Sequence, residues 1–244
     1  PPPRLVGCSC TMGIAVLRKL SPPPWQSRDR GLGAERRQTW PPEAVSRNIA
    51  QGQAIARDHA RTSHVEVGDV LPYHSFLDAS GAAVSLDDLT ASGAAVLVFF
   101  RFSDCSACNI ALPYYAETLA PSLKTAGIPL VAVSAQPFPV LEEIRTRHDL
   151  PFPVLNDPGL TLARILGITY VFDDAARDTA LGKGERSQAL NGTESWELPK
   201  PTLLVLEPGR IVRFVEISSD WLNRPVTAQI LKAQNGSASG RDRV

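Results

Sequence analysis

Long apolar runs, cysteines and an excess of either charge are all scarce in this chain, and each scarcity removes a class of function. No stretch approaches the ~20 consecutive apolar residues that cross a bilayer, so the body reads as soluble and no membrane partner is expected. Lysine plus arginine equals aspartate plus glutamate at 25 each over 244 residues. With that balance and no basic aromatic stripe, no nucleic-acid partner is expected. Four cysteines are too few to staple a secreted scaffold of this length. No phosphate-cradling glycine loop or nucleotide fingerprint occurs, so no bound cofactor is expected. What remains is a hydrophobic share of 43%, sufficient for one core with extensions.

The most informative segment is AVLVFFRFSDCSACNIALPYYAETL, Ala95 to Leu119. An apolar run of strand character gives way to a short polar turn, then Cys105 and Cys108 at CxxC spacing, then a helix-like stretch. That order puts a thiol at a helix N-terminus, where free backbone N–H groups and the helix dipole favour the thiolate. The second thiol lies three residues on, one turn away and within disulfide reach. Two thiols so placed form a reversible two-electron switch.

Around this segment the chain is organised in blocks. Residues 1–43 read as a disordered or targeting-like tail, rich in Pro and carrying seven Lys/Arg against Asp29 and Glu35 within its first 40 positions. An upstream extension before a start at Met12 is the alternative, and a cytoplasmic location is the working expectation. Residues 44–64 read as an amphipathic helix with Val45, Ile49 and Ile55 on its stripe. From Val65 a β-hairpin turns at Asp78–Gly81, and Ser85 caps a helical turn. After the CxxC helix, expected to run to about Ala126, strands and helices alternate: Ile128–Ser134, Pro139–His148, Phe152–Leu155 and Leu160–Leu166. A polar, irregular stretch over 173–198, read as a helix plus a loop, leads to two antiparallel strands, Thr202–Glu207 and Arg210–Ile217, then a helix at Val226–Ala233 and a flexible tail over 235–244. This is the pattern of an α/β domain with a central mixed sheet flanked by helices, spanning 65–234.

Four segments in this order, with the spacing between them, resemble the peroxiredoxin-like branch of the alkyl hydroperoxide reductase/thiol-specific antioxidant family, within the thioredoxin-like superfamily. They are VGDVLPYHSFLDASGAAVSLDDL, VLVFFRFSDCSACN, LPFPVLNDPGLTLARILGI and WELPKPTLLVLEPGRIVRF. The resemblance implies a thioredoxin-like fold and a cysteine thiolate that attacks a peroxide or exchanges with a disulfide. It also implies re-reduction by a thioredoxin- or glutathione-type donor, and leaves a homodimer open. Cys105 is then the attacking thiolate and Cys108 the resolving thiol. Arg101 supplies positive charge, with Ser103, Lys200, Pro201 and Thr202 bordering the substrate. By the same resemblance Pro201 is expected to follow a cis bond, and Lys200 to adjoin the thiolate.

The sequence departs from that family's pattern in two places. Phe102 stands three residues before Cys105, where peroxidase members carry Thr or Ser, and Asp104 stands where Trp often precedes the cysteine. An adjacent carboxylate aimed at the sulfur would disfavour its ionisation. Three further functions therefore stay open: disulfide reduction through the CxxC, a non-catalytic binding domain, and a zinc site joining Cys8 and Cys10 to Cys105 and Cys108. The four histidines, His59, His64, His74 and His148, show no ligand spacing to the CxxC, and no metal is expected.

Overall fold

The structure, a computed structural model, describes residue 34 and residues 36–182 and 184–219. The tail before residue 34, with Cys8 and Cys10, lies outside the described residues, as do the expected helix at 226–233 and the tail over 235–244.

The chain opens with α1 (Pro42–His59), a hairpin of β1 (Ser75–Leu77) and β2 (Ala83–Ser85), and the single turn α2 (Leu86–Leu89). Asp78 closes the hairpin by accepting from the Ser80 and Ala82 amides at 2.8 and 2.9 Å, an Asx-type turn. Ser85 and Asp88 form a capping box, each side chain accepting from the other's backbone amide. Hydrogen bonds from Ser85 hold the Asp88 carboxyl below its usual value. Its contribution to stability is therefore present above the unfolded-state pKa and lost as pH falls through the folded-state one. Ser85→Ala should cost about 1 kcal/mol at neutral pH. In urea unfolding that loss should be smaller in acid, where protonated Asp88 accepts less well from the Ser85 hydroxyl, while the bond from the Asp88 amide to the Ser85 oxygen persists.

Next come β3 (Ala95–Phe99), α3 (Cys108–Thr118), α4 (Ala120–Thr125), β4 (Leu130–Ser134), α5 (Val140–Arg147), β5 (Val154–Asn156) and α6 (Thr161–Ile165). The strand β6 (Thr169–Val171), the helices α7 (Asp174–Gly182) and α8 (Ser187–Asn191), and β7 (Glu197–Pro199) precede the closing pair, β8 (Thr202–Glu207) and β9 (Ile211–Ile217). Seven strands form one mixed sheet in the order β2-β1-β5-β4-β3-β8-β9, with β3, β4 and β5 parallel.

The central strand β3 is buried at all five positions, as its near-continuous apolar run requires. Alternation along it divides the core into two layers. Val96 and Val98 face a cluster with Leu112, Tyr115, Leu123 and Ile144 from α3, α4 and α5. Leu97 and Phe99 face Leu86, Leu162 and Leu204 on the other side. Each such side chain contributes roughly 1.5–3 kcal/mol by leaving water. A helix layer therefore covers each face of a mixed sheet, as expected from the sequence.

Several expectations are corrected. The helix after the CxxC is broken at Leu119, because Pro121 has no N–H to continue the first helix and its ring restricts the turn before it. The stretch over 173–198, read as one helix plus a loop, holds its expected helix as α7 and a second one, α8, and its flanks form a separate two-stranded sheet, β6–β7. On α1 only Ile55 is buried and Ile49 is exposed, so the inward face is not the Val45–Ile49–Ile55 stripe. The cis bond is at Phe138–Pro139 and not before Pro201. At Lys200 the backbone passes straight from β7 towards β8, its N–H on the Ile168 carbonyl and its carbonyl taking the Thr202 hydroxyl.

Candidate active site

The C-terminal ends of parallel strands β3 and β4 point at the turn that carries the thiols. Crevices at such strand ends are where open α/β sheets place their chemistry. The Phe100 N–H still bonds to Val133 across the sheet at 2.9 Å, and beyond it the chain leaves β3 through Arg101, Phe102 and Ser103. The Cys105 carbonyl accepts from the amides of Cys108 and Asn109 at 2.9 and 3.0 Å. Cys105 thus occupies the turn that feeds α3, and Cys108 is its first residue. Cys105 and Cys108 are not joined by a disulfide, and both are buried.

Three polar side chains hold that turn. Gln136, just after β4, accepts from the Ser103 amide at 2.6 Å, and its own amide donates to the Ala189 carbonyl at 2.9 Å. Asn109 donates to the Ser103 and Cys105 carbonyls at 2.5 and 3.0 Å. His148 at the end of α5 lies 2.6 Å from the Asn109 side-chain oxygen. Burial pushes the His148 pKa down, so the neutral ring is the favoured partner.

Arg101 is the charged group nearest the chemistry. It is 9% exposed, and one guanidinium N–H points at the Cys105 sulfur with Nη1···Sγ at 3.8 Å. The opposite side of the guanidinium is fixed by the Tyr170 hydroxyl, which accepts from Nε at 2.6 Å. Burial pushes the Tyr170 pKa up to about 12, so the phenol stays neutral. Burial acts to lower the Arg101 pKa, but Tyr170, Cys105 and Cys108 outweigh it and the net direction is upward. Both thiols therefore act electrostatically on one fixed cation.

The remaining predicted residues are distributed as follows. Ser103 is buried beside the thiol turn and works through its backbone. Asp104 is turned outward, 78% exposed and 3.7 Å from Arg147, away from the sulfur. Phe102 carries the Arg101 guanidinium over its ring at 5.1 Å. Its partly buried ring packs against the thiol cluster and also against the cluster of Ile55, Tyr170, Leu190 and Leu198, which Phe172 and Trp196, stacked at 6.0 Å, also cover. Thr202 is buried, opposite Phe99 in the sheet, and the Pro201 carbonyl accepts from Ser218. Lys200 is buried too, but the carboxylate that registers at its ammonium is Asp58, from α1. Among the described residues no group of three or more His, Cys, Asp or Glu side chains could hold a metal ion. Tyr170, Gln136, Asn109 and His148 were not singled out by the sequence for this site.

With this geometry in place, the comparisons become informative. The family model described as AhpC/TSA family matches residues 67–215, well over half of the chain. The chain belongs to the AhpC/TSA family. It is accordingly an enzyme of the thiol-dependent oxidoreductase class, and the expected family is the observed one. Among solved structures it is similar to the peroxidoxin BcpB of Mycobacterium tuberculosis, at 20% identity and a TM-score of 0.55, covering 73% of this chain and 100% of that one. It is also similar to PrxQ of Xylella fastidiosa, at 13% identity and a TM-score of 0.56, over 72% of this chain and 99% of that one. A thiol peroxidase from Chromobacterium violaceum aligns at 16% identity and a TM-score of 0.53, over 73% and 91%. No curated protein sequence matches this AhpC/TSA chain.

Proposed function

We propose that this AhpC/TSA protein is a thiol peroxidase in which Cys105 is the attacking thiolate and Cys108 the resolving thiol. The observation that carries the reading is the Arg101 guanidinium, clamped by Tyr170 and aimed at the Cys105 sulfur from 3.8 Å. A fixed positive charge at that range favours the thiolate over the thiol. It also stabilises the negative charge that develops on the departing peroxide oxygen.

The Cys105 sulfur attacks one oxygen of the peroxide and the O–O bond breaks. The other oxygen leaves as hydroxide or alkoxide and takes up a proton, so the peroxide is reduced by two electrons and Cys105 becomes a sulfenic acid. The Cys108 thiol then attacks that sulfur. Water leaves with the Cys108 proton, and a Cys105–Cys108 disulfide forms. One dithiol of the thioredoxin type, or two monothiols of the glutathione type, return the two electrons and two protons and leave as a disulfide. The Cys108 amide bonds to the Cys105 carbonyl at 2.9 Å, and residues one helical turn apart lie within disulfide reach.

Intact-mass measurement after one equivalent of peroxide tests this directly. The wild type should lose two hydrogens, whereas Cys108→Ser should gain one oxygen. Unchanged masses in both would refute the peroxidase reading. Reduction of a disulfide substrate by the same unoxidised protein would support the alternative, which Phe102 favours because it offers a peroxide no hydroxyl. Tyr170→Phe, which frees the guanidinium on one side, should slow Cys105 oxidation about tenfold by stopped-flow fluorescence while retaining the fold.

A further inference from the structure

At the other end of the small β6–β7 sheet, three nitrogen bases converge without an acceptor between them. The Leu166 carbonyl accepts from the Val65 amide, and the Ile168 carbonyl from the Lys200 amide. The segment after α1 is thereby laid beside the start of β8. Gly167 sits so close beneath it, at φ +70°, that a Cβ there would meet the Ser63 carbonyl oxygen at 2.3 Å. His59 from the last turn of α1 and His64 from the following loop pack with ring centroids 4.1 Å apart. Lys200 is 1% exposed, and its ammonium nitrogen has no hydrogen-bond partner among the described residues, nor have His59 Nδ1 and His64 Nε2.

A buried ammonium with nothing to accept its protons costs several kcal/mol. The carboxylate whose charge registers at Lys200, His59 and His64 alike is Asp58, and it stays exposed on the outer face of α1. Both imidazoles are only half-buried, so a small solute has a route in past their edges. Three nitrogen groups that become donors on protonation, with no hydrogen-bond partner at Lys200 Nζ, His59 Nδ1 or His64 Nε2 and an open side, are the complement of a compact anion.

We propose that Lys200, His59 and His64 form a binding site for a tetrahedral oxyanion of the sulfate or phosphate type, separate from the thiol site. Burial biases all three groups towards their neutral forms. A hydrogen bond to the Thr62 backbone partly offsets this at His64, where it favours the protonated ring. An arriving anion therefore draws protons onto the cluster, and by linkage its affinity falls as pH rises. Sulfate is the cleaner probe because its own charge does not change near neutrality.

Thermal unfolding and calorimetric titration of the full chain with sodium sulfate, at ionic strength held constant with chloride, decide the matter. A saturable rise in Tm is expected, larger at about pH 6 than at about pH 8 and missing in chloride alone. Lys200→Met should weaken sulfate binding about tenfold or more, and without sulfate it should be at least as stable as the wild type, since the methionine leaves no buried donor unmet. His64→Gln should weaken binding and flatten its pH dependence, and it decides the question if Lys200→Met does not fold. Inorganic phosphate and a phosphate monoester, titrated alongside, separate a free ion from the end group of a larger ligand. A Tm that follows ionic strength whatever the anion, or sulfate binding untouched by both substitutions, would overturn the proposal.

Discussion

Replacing Cys105 with Ser should abolish peroxide consumption, and Arg101→Met, which keeps both sulfurs, should slow Cys105 oxidation by about 10²–10³-fold, the usual cost of removing one preorganised charge-stabilising donor. The size of the effect follows from where the guanidinium is and how it is held. Its Nε is committed to Tyr170 at 2.6 Å and its Nη1 faces the Cys105 sulfur at 3.8 Å, so one planar group bridges the two. Methionine fills much of the same volume, packs on Phe102 and Tyr170, and brings no charge. Arg101→Lys should fall between, because a single ammonium cannot engage phenol and sulfur together. The pH profile separates an electrostatic role from a packing one. With Tyr170 neutral up to about 12 and Arg101 charged throughout, ionisation of the thiol alone should shape the rise of the wild-type rate. Arg101→Met should move that rise to higher pH. Oxidation of Arg101→Met at the wild-type rate with an unmoved profile would remove Arg101 from the chemistry.

How far the site was legible in the sequence follows from how local each signal is. Strand, turn, CxxC and helix are encoded within Ala95–Leu119, so the reading placed Cys105, Cys108 and Arg101 in one neighbourhood. The capping box at Ser85 and Asp88 and the Pro-Gly turn before β9 are local in the same sense. Tyr170 carries no such mark. It meets Arg101 from 69 positions away, out of a three-residue strand too short to show alternation. Gln136 reaches Ser103 from 33 positions away and His148 reaches Asn109 from 39, and an isolated polar residue gives no sign of which turn it will hold. Lys200 shows the reverse failure. The family resemblance set it beside the thiolate, whereas the Ile168 carbonyl and the packing of residues 63–65 bring it under the end of α1. The break at Leu119 was written in Pro121, but it competes with an otherwise continuous helical pattern that runs straight through Pro113.

The largest effect on stability is expected at Asp157, far from the thiols in sequence but joined to them through hydrogen bonds. Its carboxylate is 1% exposed and accepts from the Leu162 and Ala163 amides at 3.0 Å each, so it caps α6 from a distance. His74 approaches the same carboxylate at 3.2 Å from the segment before β1. The Asp157 amide in turn bonds to the Ser134 carbonyl at 2.9 Å. One residue therefore ties α6 and the segment before the hairpin, through its side chain, to the end of β4, through its amide. Next to it Asn156 donates to the Gln136 carbonyl at 2.8 Å, and Gln136 holds Ser103 in the thiol turn. Asp157→Ala removes two charge-assisted bonds and leaves two buried amides unmet, so it should cost about 3 kcal/mol or more in urea unfolding. Asp157→Asn, which keeps one acceptor oxygen, should lose about half as much. Because Asn156 and Gln136 are displaced with it, Asp157→Ala should also slow Cys105 oxidation in whatever fraction stays folded. A loss below about 0.5 kcal/mol, the level of an ordinary surface substitution, would show that α6 and the hairpin are held by apolar packing alone.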